Sequence, residues 1–320
     1  MPTESEIKLR LSLGQLSKFS AHLWVKEHGK QGPTRKHLHS TYFDTPDLRL
    51  LDQGVGLRVR RMDHRWVQTL KGDNSGKAGL QRRQEWEGEV EHNAPDLERL
   101  AAEAKIGVLK ESDLASRLIP VFETDFSRTI WLLWLGDAVA ELALDEGHIR
   151  AHGRTEPLSE LELELKQGAE KDLYSAALHL TEIFPLAVEH ASKAERGYRL
   201  YTQQFSPLSA PGFVPVEAVS DVQSLSYWLA HLQYGERLLL ERCDSQGSSH
   251  LRAAAEGLRG VIIAAGQKVE ISLQEDLDWL TKGLQASKDF SEISTLVAAP
   301  HYSRLLLRLG KYLAELEEKQ

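Results

Sequence analysis

Two kinds of charged pair recur in the first two hundred residues, each with one residue between its members. Glu4/Glu6 and Glu162/Glu164 are carboxylates at i and i+2, and Arg58/Arg60 are guanidiniums at the same spacing. On a β-strand that spacing puts both members side by side on one face. Two carboxylates so held suit a hard divalent cation such as Mg²⁺, which takes oxygen ligands and keeps part of its water shell. Arginine forks bind phosphate oxygens bidentately and lysine adds a point charge. Arg58 and Arg60, with Lys8, Lys71, Arg83, Arg128 and Lys193, therefore suit a polyanion. Acids for a metal and cations for phosphate, brought together, describe metal–polyphosphate chemistry.

The elements that must position them are strands. Glu4, Glu6, Lys8 and Arg10 alternate with Ile7, Leu9 and Leu11; Arg58 and Arg60 alternate with Leu57 and Val59. The same period-2 pattern marks Trp66–Lys71, the run Arg83, Glu85, Glu87, Glu89 and Glu91, the stretch from Phe122 through Ile130–Leu135, Glu141–Asp145, and Glu160–Lys166. Lys71-Gly72-Asp73-Asn74 and Asp145-Glu146-Gly147 have the composition of hairpin turns. Helical pattern falls at 15–28, 95–105, 111–118, 170–183 and 192–203. An open antiparallel sheet with its polar face in water would show the same alternation. Two features favour closure instead: the polar faces are almost wholly ionised, and acids and bases segregate by strand. In a closed sheet both would point inward and need each other or a ligand, while helices cover the leucine face.

The motifs, taken in order, resemble those of the CYTH superfamily, the triphosphate tunnel metalloenzymes. Glu4-Ser5-Glu6-Ile7-Lys8 resembles its EXEXK, Tyr42-Phe43-Asp44-Thr45 its YYDT, and Leu57-Arg58-Val59-Arg60 its LRIR. Thr69-Leu70-Lys71, Arg83-Gln84-Glu85-Trp86-Glu87, Asp145-Glu146-Gly147, Glu162-Leu163-Glu164 and Ser192-Lys193-Ala194-Glu195-Arg196-Gly197-Tyr198 continue the resemblance through residue 203. It implies an α+β chain: an eight-stranded antiparallel β-barrel tunnel flanked by helices. It makes Glu4, Glu6, Glu162 and Glu164 metal carboxylates, and Lys8, Arg58, Arg60, Lys71, Arg83, Arg128 and Lys193 triphosphate ligands. Glu85 and Asp145 become metal- or water-positioning acids, forming a catalytic set with Lys8 and Lys71; Glu87 and Glu160 continue the same faces outside it. The implied reaction is hydrolysis of inorganic triphosphate to diphosphate and phosphate with Mg²⁺ or Mn²⁺. The alternatives are another CYTH activity (adenylate cyclase, nucleoside or thiamine triphosphatase) or a non-catalytic polyphosphate-binding module.

The 320 residues (36.0 kDa) are enough for two domains, and 41% apolar with 27% charged residues is an ordinary globular composition. We expect the barrel domain over 1–205, a linker over 206–217 around Pro207 and Pro211, and an all-α bundle over 218–320. The last resembles a shortened, degenerate CHAD domain, with Arg252, Leu258 and Arg259 kept but Ser249, Glu256 and Gly257 where that family's helix has histidine and arginines. About four helices are expected there, with breaks near Asp244–Gly247, Gly266–Gln267, Ser287–Asp289 and Ala299–Pro300, and with packing against the barrel's helices or homo-oligomer formation as their work. The net charge of −8 disfavours a generic grip on nucleic acid. No G-x-x-x-x-G-K-[ST] loop occurs, which excludes a P-loop NTPase. The acidic start without an apolar core, the single Cys243 and the shortness of the Ile130–Leu135 run point to a cytoplasmic protein with no membrane partner. Cys243 is expected to be a buried small residue, His37 and His39 surface histidines, Trp24, Trp66, Trp86, Trp131 and Trp134 core anchors, and Glu315–Lys319 a solvated helix end.

Overall fold

Alternation of charge with leucine is what closes the sheet. The computed structural model describes residues 3–12, 14–29, 33–62, 64–72, 76–205, 207–212, 220–266 and 269–319. Its strands are β1 (Thr3–Arg10), β2 (Thr34–Asp44), β3 (Gly56–Met62), β4 (Arg65–Lys71), β5 (Leu80–Val90), β6 (Ile119–Leu135), β7 (Ala138–Ala151), β8 (Arg154–Gln167) and the short β9 (Ala187–Val188). Every pairing is antiparallel, in the order β5-β4-β3-β2-β6-β7-β8-β1, and β1 returns to β5 through Glu4↔Arg83 and Glu6↔Gln81. The result is the expected eight-stranded barrel, with β9 added beside the end of β1.

The helices are α1 (Leu16–Ala21), α2 (Leu23–His28), α3 (Arg49–Asp52), α4 (Leu97–Ala104), α5 (Leu114–Arg117), α6 (Glu170–Ile183), α7 (Lys193–Thr202), α8 (Asp221–Arg242), α9 (Gln246–Ala265), α10 (Ile271–Ala286), α11 (Phe290–Ala298) and α12 (Pro300–Glu317). The outward residues Ile7, Leu9, Leu142, Leu161 and Leu163 are buried in one apolar cluster with Leu173, Ala177 and Leu180 of α6. That cluster runs on without a break through Leu225, Leu251, Leu277, Tyr302 and Leu306 of the C-terminal helices. A second cluster seats Leu57, Leu70 and Trp86 beneath Leu97, Leu100 and Leu114. The barrel is therefore apolar outside and charged inside. Among the described residues, no helix is long and apolar enough to cross a membrane.

Several expectations need correcting. Asp145-Glu146-Gly147 is not a turn but the middle of β7. The hairpins lie at Gly136–Asp137 and His152–Gly153, the latter with φ of +48° and +73°, the left-handed pair that a two-residue hairpin demands. Gly147 is needed for another reason: a Cβ there would lie 2.2 Å from the Asp125 carbonyl and 2.5 Å from Phe126 Cβ. Of Lys71-Gly72-Asp73-Asn74, residues 73 and 74 lie outside the described residues, as do 206 and 213–219 of the linker. The 15–28 pattern is two short helices, because His22 breaks out to extended backbone and caps α2 through its ring nitrogen. Among the described residues the C-terminal part has five helices where about four were expected. Cys243 is exposed, because it caps α8 in a left-handed conformation with φ +52°. The end of α12 is not simply solvated, since Glu317 pairs with Arg82 at 3.1 Å and Glu318 with Lys171 at 2.6 Å. His37 and His39 face outward beside Asp125 and Glu123.

Candidate active site

Register converts the sequence pairs into cross-strand neighbours. Lys8 lies opposite Glu162 and Glu6 opposite Glu164 across β1/β8; Glu141 flanks Glu164 from β7; Arg128 faces Asp145 across β6/β7. Lys71 stands opposite Glu85, Arg58 opposite Tyr42, and Arg60 opposite Ser40. α7 adds Lys193, because Ser192 caps the helix by accepting from Glu195 N at 3.1 Å and so aims the first side chain inward. A cavity of about 1140 Å³ is lined by Glu4, Glu6, Lys8, Arg58, Arg60, Lys71, Arg83, Glu85, Arg128, Glu162, Glu164 and Lys193. Asp145 alone of the expected site residues stands behind that lining, fully buried.

At its deepest the lumen is a knot of satisfied ion pairs. Arg128 grips Asp145 bidentately, Nε–Oδ1 2.7 Å and Nη2–Oδ2 2.6 Å, and also reaches Glu162. Lys193 Nζ sits 2.7 Å from Asp145 and 2.9 Å from Glu162 and contacts Glu160. Lys8 Nζ is 2.5 Å from Glu162 Oε1 and 3.0 Å from Glu6 Oε1. Oxygens of Asp145, Glu160 and Glu162 converge within 4.8 Å of one another, a spacing that could hold a metal, but cations already occupy the space between them. Burial opposes ionisation of Glu162, yet Lys193, Lys8 and Arg128 outweigh it and hold the carboxyl well below its usual range. Asp145 is likewise held low against burial by Arg128 and Lys193. Burial wins for Glu160, which is pushed up.

Toward the strand ends the compensation thins for both signs, although Lys8 still reaches Glu6, Lys166 contacts Glu164 and Arg58 lies 3.8 Å from Glu85. Glu6 Oε1 is buried without a hydrogen bond, and Glu6, Glu164 and Glu141 form a row of like charges across three adjacent strands. Such a row is destabilising by itself. Burial, with the charges of Glu4 and Glu141, pushes Glu164 up despite its contact with Lys166. On the other wall the Nε atoms of Arg58 and Arg83 are buried without a partner among the described residues. Arg60 donates to Ser40 Oγ at 2.9 Å and has no carboxylate within ion-pair distance among the described residues. Burial, with Arg58 and Arg128 nearby, pulls its pKa down to about 9. Lys71 bridges the two regions, 2.8 Å from Glu4 and 3.0 Å from Glu85, and against burial it helps hold Glu85 low.

Four participants escaped the sequence reading as site residues. Phe126 lies beneath Arg60, Arg128 and Lys193 at 5.1–5.8 Å. Tyr42 accepts from Arg58, Glu141 extends the acidic row, and Arg196 holds Glu160 at 3.2 Å. Period-2 alternation could have found Glu141; an aromatic inside an otherwise charged lumen has no such signal.

The hard oxygen donors and the only partly compensated acidic row fit a divalent cation, and the orphaned guanidinium atoms fit phosphate oxygens. Among known proteins, an inorganic triphosphatase of Haemophilus influenzae is 36% identical over 211 residues, covering 64% of this chain and 57% of that protein. The chain thus spans less than two thirds of the length of this curated relative. Solved structures with likeness include HpAC1 of Hippeastrum, described as an adenylyl cyclase candidate with a dominant triphosphatase activity (18% identity, TM-score 0.44, 64% of this chain and 98% of that one). Another is an adenylate cyclase candidate of Bacillus halodurans (18% identity, TM-score 0.36, 60% and 96%). The CYTH domain model matches residues 2–198, from the first strand of the barrel through the turns of α7 that follow Lys193. With that span matched, the chain belongs to the CYTH domain family.

Proposed function

We propose that the protein hydrolyses inorganic triphosphate to diphosphate and phosphate inside the barrel, with a divalent cation. One observation carries this reading: buried guanidinium Nε atoms without a partner at Arg58 and Arg83, and Arg60 with no carboxylate within ion-pair distance among the described residues, share a cavity with Glu6 and Glu164, two members of the like-charge row that Glu141 extends. Nine cationic and eight anionic side chains line that cavity, so it is close to neutral when empty. A bare triphosphate would leave it strongly negative, and a divalent cation entering with the triphosphate offsets two of those charges. The name of the Haemophilus influenzae relative supports the same substrate.

In this reading Arg58, Arg60, Arg83 and Lys8 bind the phosphate oxygens, and Arg128 and Lys193 turn from their carboxylates to meet charge that develops at the phosphorus under attack. Arg58, Arg60 and Arg83, which need not leave a close carboxylate, are the preorganised part of that charge stabilisation. Glu85, held ionised by Lys71, can accept a hydrogen bond from the attacking water, and its contact with Arg58 at 3.8 Å orients that guanidinium. Asp145 fixes Arg128 and Lys193 and touches no substrate. Glu4, Glu6 and Glu164 would hold Mg²⁺ or Mn²⁺, with Glu162 available as phosphate takes over Lys8. The bound ion would supply charge neutralisation at the phosphate oxygens and a more acidic water.

We read 1–205 as the catalytic unit, 206–217 as a connection and 218–320 as a shortened CHAD-like module that packs on the barrel and offers a surface for self-association, in a cytoplasmic enzyme. The apolar cluster shared by the barrel's outer face and α8–α12 supports the packing. Phosphate release from triphosphate, ATP, thiamine triphosphate and long-chain polyphosphate, each with Mg²⁺ or Mn²⁺, tests the reading. Triphosphate should give by far the highest kcat/KM. Preference for a nucleotide would point to another CYTH activity, and binding without turnover to a storage or sensing module.

A further inference from the structure

Of the cations that pair with Glu162 among the described residues, Lys193 alone comes from outside the sheet. Its place depends on the segment 187–195 that crosses the barrel. The barrel holds one side of that segment: β9 pairs with β1, Glu189 N donates to Lys8 O at 2.9 Å, and Gln81 Nε2 donates to His190 O at 3.3 Å. The C-terminal helices hold the other. Gln233, Glu236 and Arg237 stand at i, i+3 and i+4 on one face of α8. Glu236 Oε2 is 3.1 Å from His190 Nε2, and Gln233 Nε2 is 3.3 Å from His190 Nδ1. Arg237 pairs with Glu195 and, at 2.8 Å, with Glu241. Ser303 Oγ of α12 accepts from Val188 N at 3.2 Å.

His190 and Glu195 bracket Lys193 in the chain, so one face of a helix remote in sequence grips both flanks of a lumen lysine. Glu236 is almost wholly buried, a costly location for a carboxylate that serves no purpose. Arg237 borders the cavity, but two carboxylates already answer its charge, which makes it a brace rather than a receptor for an incoming anion.

We propose that Gln233, Glu236 and Arg237 form a clamp that positions Lys193 in the lumen, so that the C-terminal helices set the barrel's grip on its anion. They are positioning residues: they act through His190 and Glu195. The part of the proposal that concerns the anion rests on the phosphate reading of Lys193.

Two measurements on the full chain test it. The first needs no ligand: competitive labelling of lysine amines with acetic anhydride, resolved by mass spectrometry. Arg237→Ala and Glu236→Gln should each raise labelling of Lys193 about tenfold or more while Lys8, held by β1, stays unchanged. Unchanged Lys193, or an equal rise at Lys8 from general loosening, would overturn the clamp. The second is a cycle on triphosphate hydrolysis. Each variant should raise KM about tenfold with a smaller change in kcat, Arg237→Lys should recover part of the loss, and in a Lys193→Met background the same changes should alter KM less than about twofold. Equal losses in both backgrounds would show that α8 acts independently of Lys193. Failure of the wild type to hydrolyse triphosphate would remove the proposed function and leave the labelling result to decide the clamp.

Discussion

Arg60 is the sharpest place to test whether the lumen is built around a missing anion. Its guanidinium is buried, has Ser40 as its hydrogen-bond partner, and stands beside Arg58 and Arg128. A fall from the ordinary guanidinium value to about 9 corresponds, at about 1.4 kcal/mol per tenfold, to about 5 kcal/mol of cost for keeping the charge in the empty protein. Arg60→Met keeps most of the side-chain volume and removes the charge. It also forfeits the cation–π contact with Phe126, about 1–2 kcal/mol, and the Ser40 hydrogen bond, about 1 kcal/mol. The empty variant should therefore gain about 2–3 kcal/mol, or roughly 4–6 °C in Tm for a chain of this size. The ligand response should move the opposite way. Triphosphate at a hundredfold over its Kd, with metal chelated to prevent turnover, stabilises the wild type by about 2.7 kcal/mol. Loss of a charge-assisted contact of about 1.5–3 kcal/mol should cut that gain to about 0.3–1.3 kcal/mol. Thermal unfolding with and without triphosphate reads both numbers. A variant that melts lower than the wild type and keeps the full ligand-induced shift would refute the reasoning, because Arg60 would then be a structural residue.

Glu6→Gln and Glu164→Gln each remove one of three opposed charges with little change of shape. Both should fold, lose hydrolysis at least about thirtyfold at limiting metal, and recover partly as metal is raised, which a metal titration of kcat/KM will show. Acid should act in two stages. Glu160 and Glu164 are pushed up, so lowering the pH from neutral toward 4.5 protonates them and relieves a cost, and Tm should rise slightly. Glu162 and Asp145 are held low, so their stabilisation is complete above their ordinary values of 4.5 and 3.8 and disappears as the pH falls below those values. A Tm that falls steadily from pH 7 would contradict that ordering. A chain ending at residue 204 should be much less soluble than the full chain, because the apolar cluster shared with α8–α12 would lie open; light scattering after expression reads the outcome.

The alternation of Glu4-Ser5-Glu6 and of Arg58-Val59-Arg60 makes the inward face legible, because a strand's side-chain period is fixed at two and outward leucines demand a helical cover. Closure follows from the same residues, since so much ionised surface of both signs balances only when it faces itself. What alternation cannot reveal is which charges neutralise one another. That depends on register, which places Glu162 against Lys8 but Glu6 against Glu164. Asp145 shows the limit most clearly. Its motif has the composition of a turn, yet it lies mid-strand, because Gly147 is there to clear Phe126 rather than to bend the chain. The grip of α8 on His190 and Glu195 was invisible for a similar reason, since it joins residues about forty positions apart through side chains that carry no pattern of their own.

The central claim is that the lumen takes a polyphosphate together with a divalent cation and cleaves it. Its most direct measurement is phosphate release from inorganic triphosphate by the purified full chain, with Mg²⁺ or Mn²⁺ and then with excess chelator, beside Arg60→Met. The account predicts release of one phosphate and one diphosphate per triphosphate, abolished by chelation, restored by added metal, and reduced at least about a hundredfold in the variant. Turnover unaffected by chelator, or equal in the variant, would contradict it.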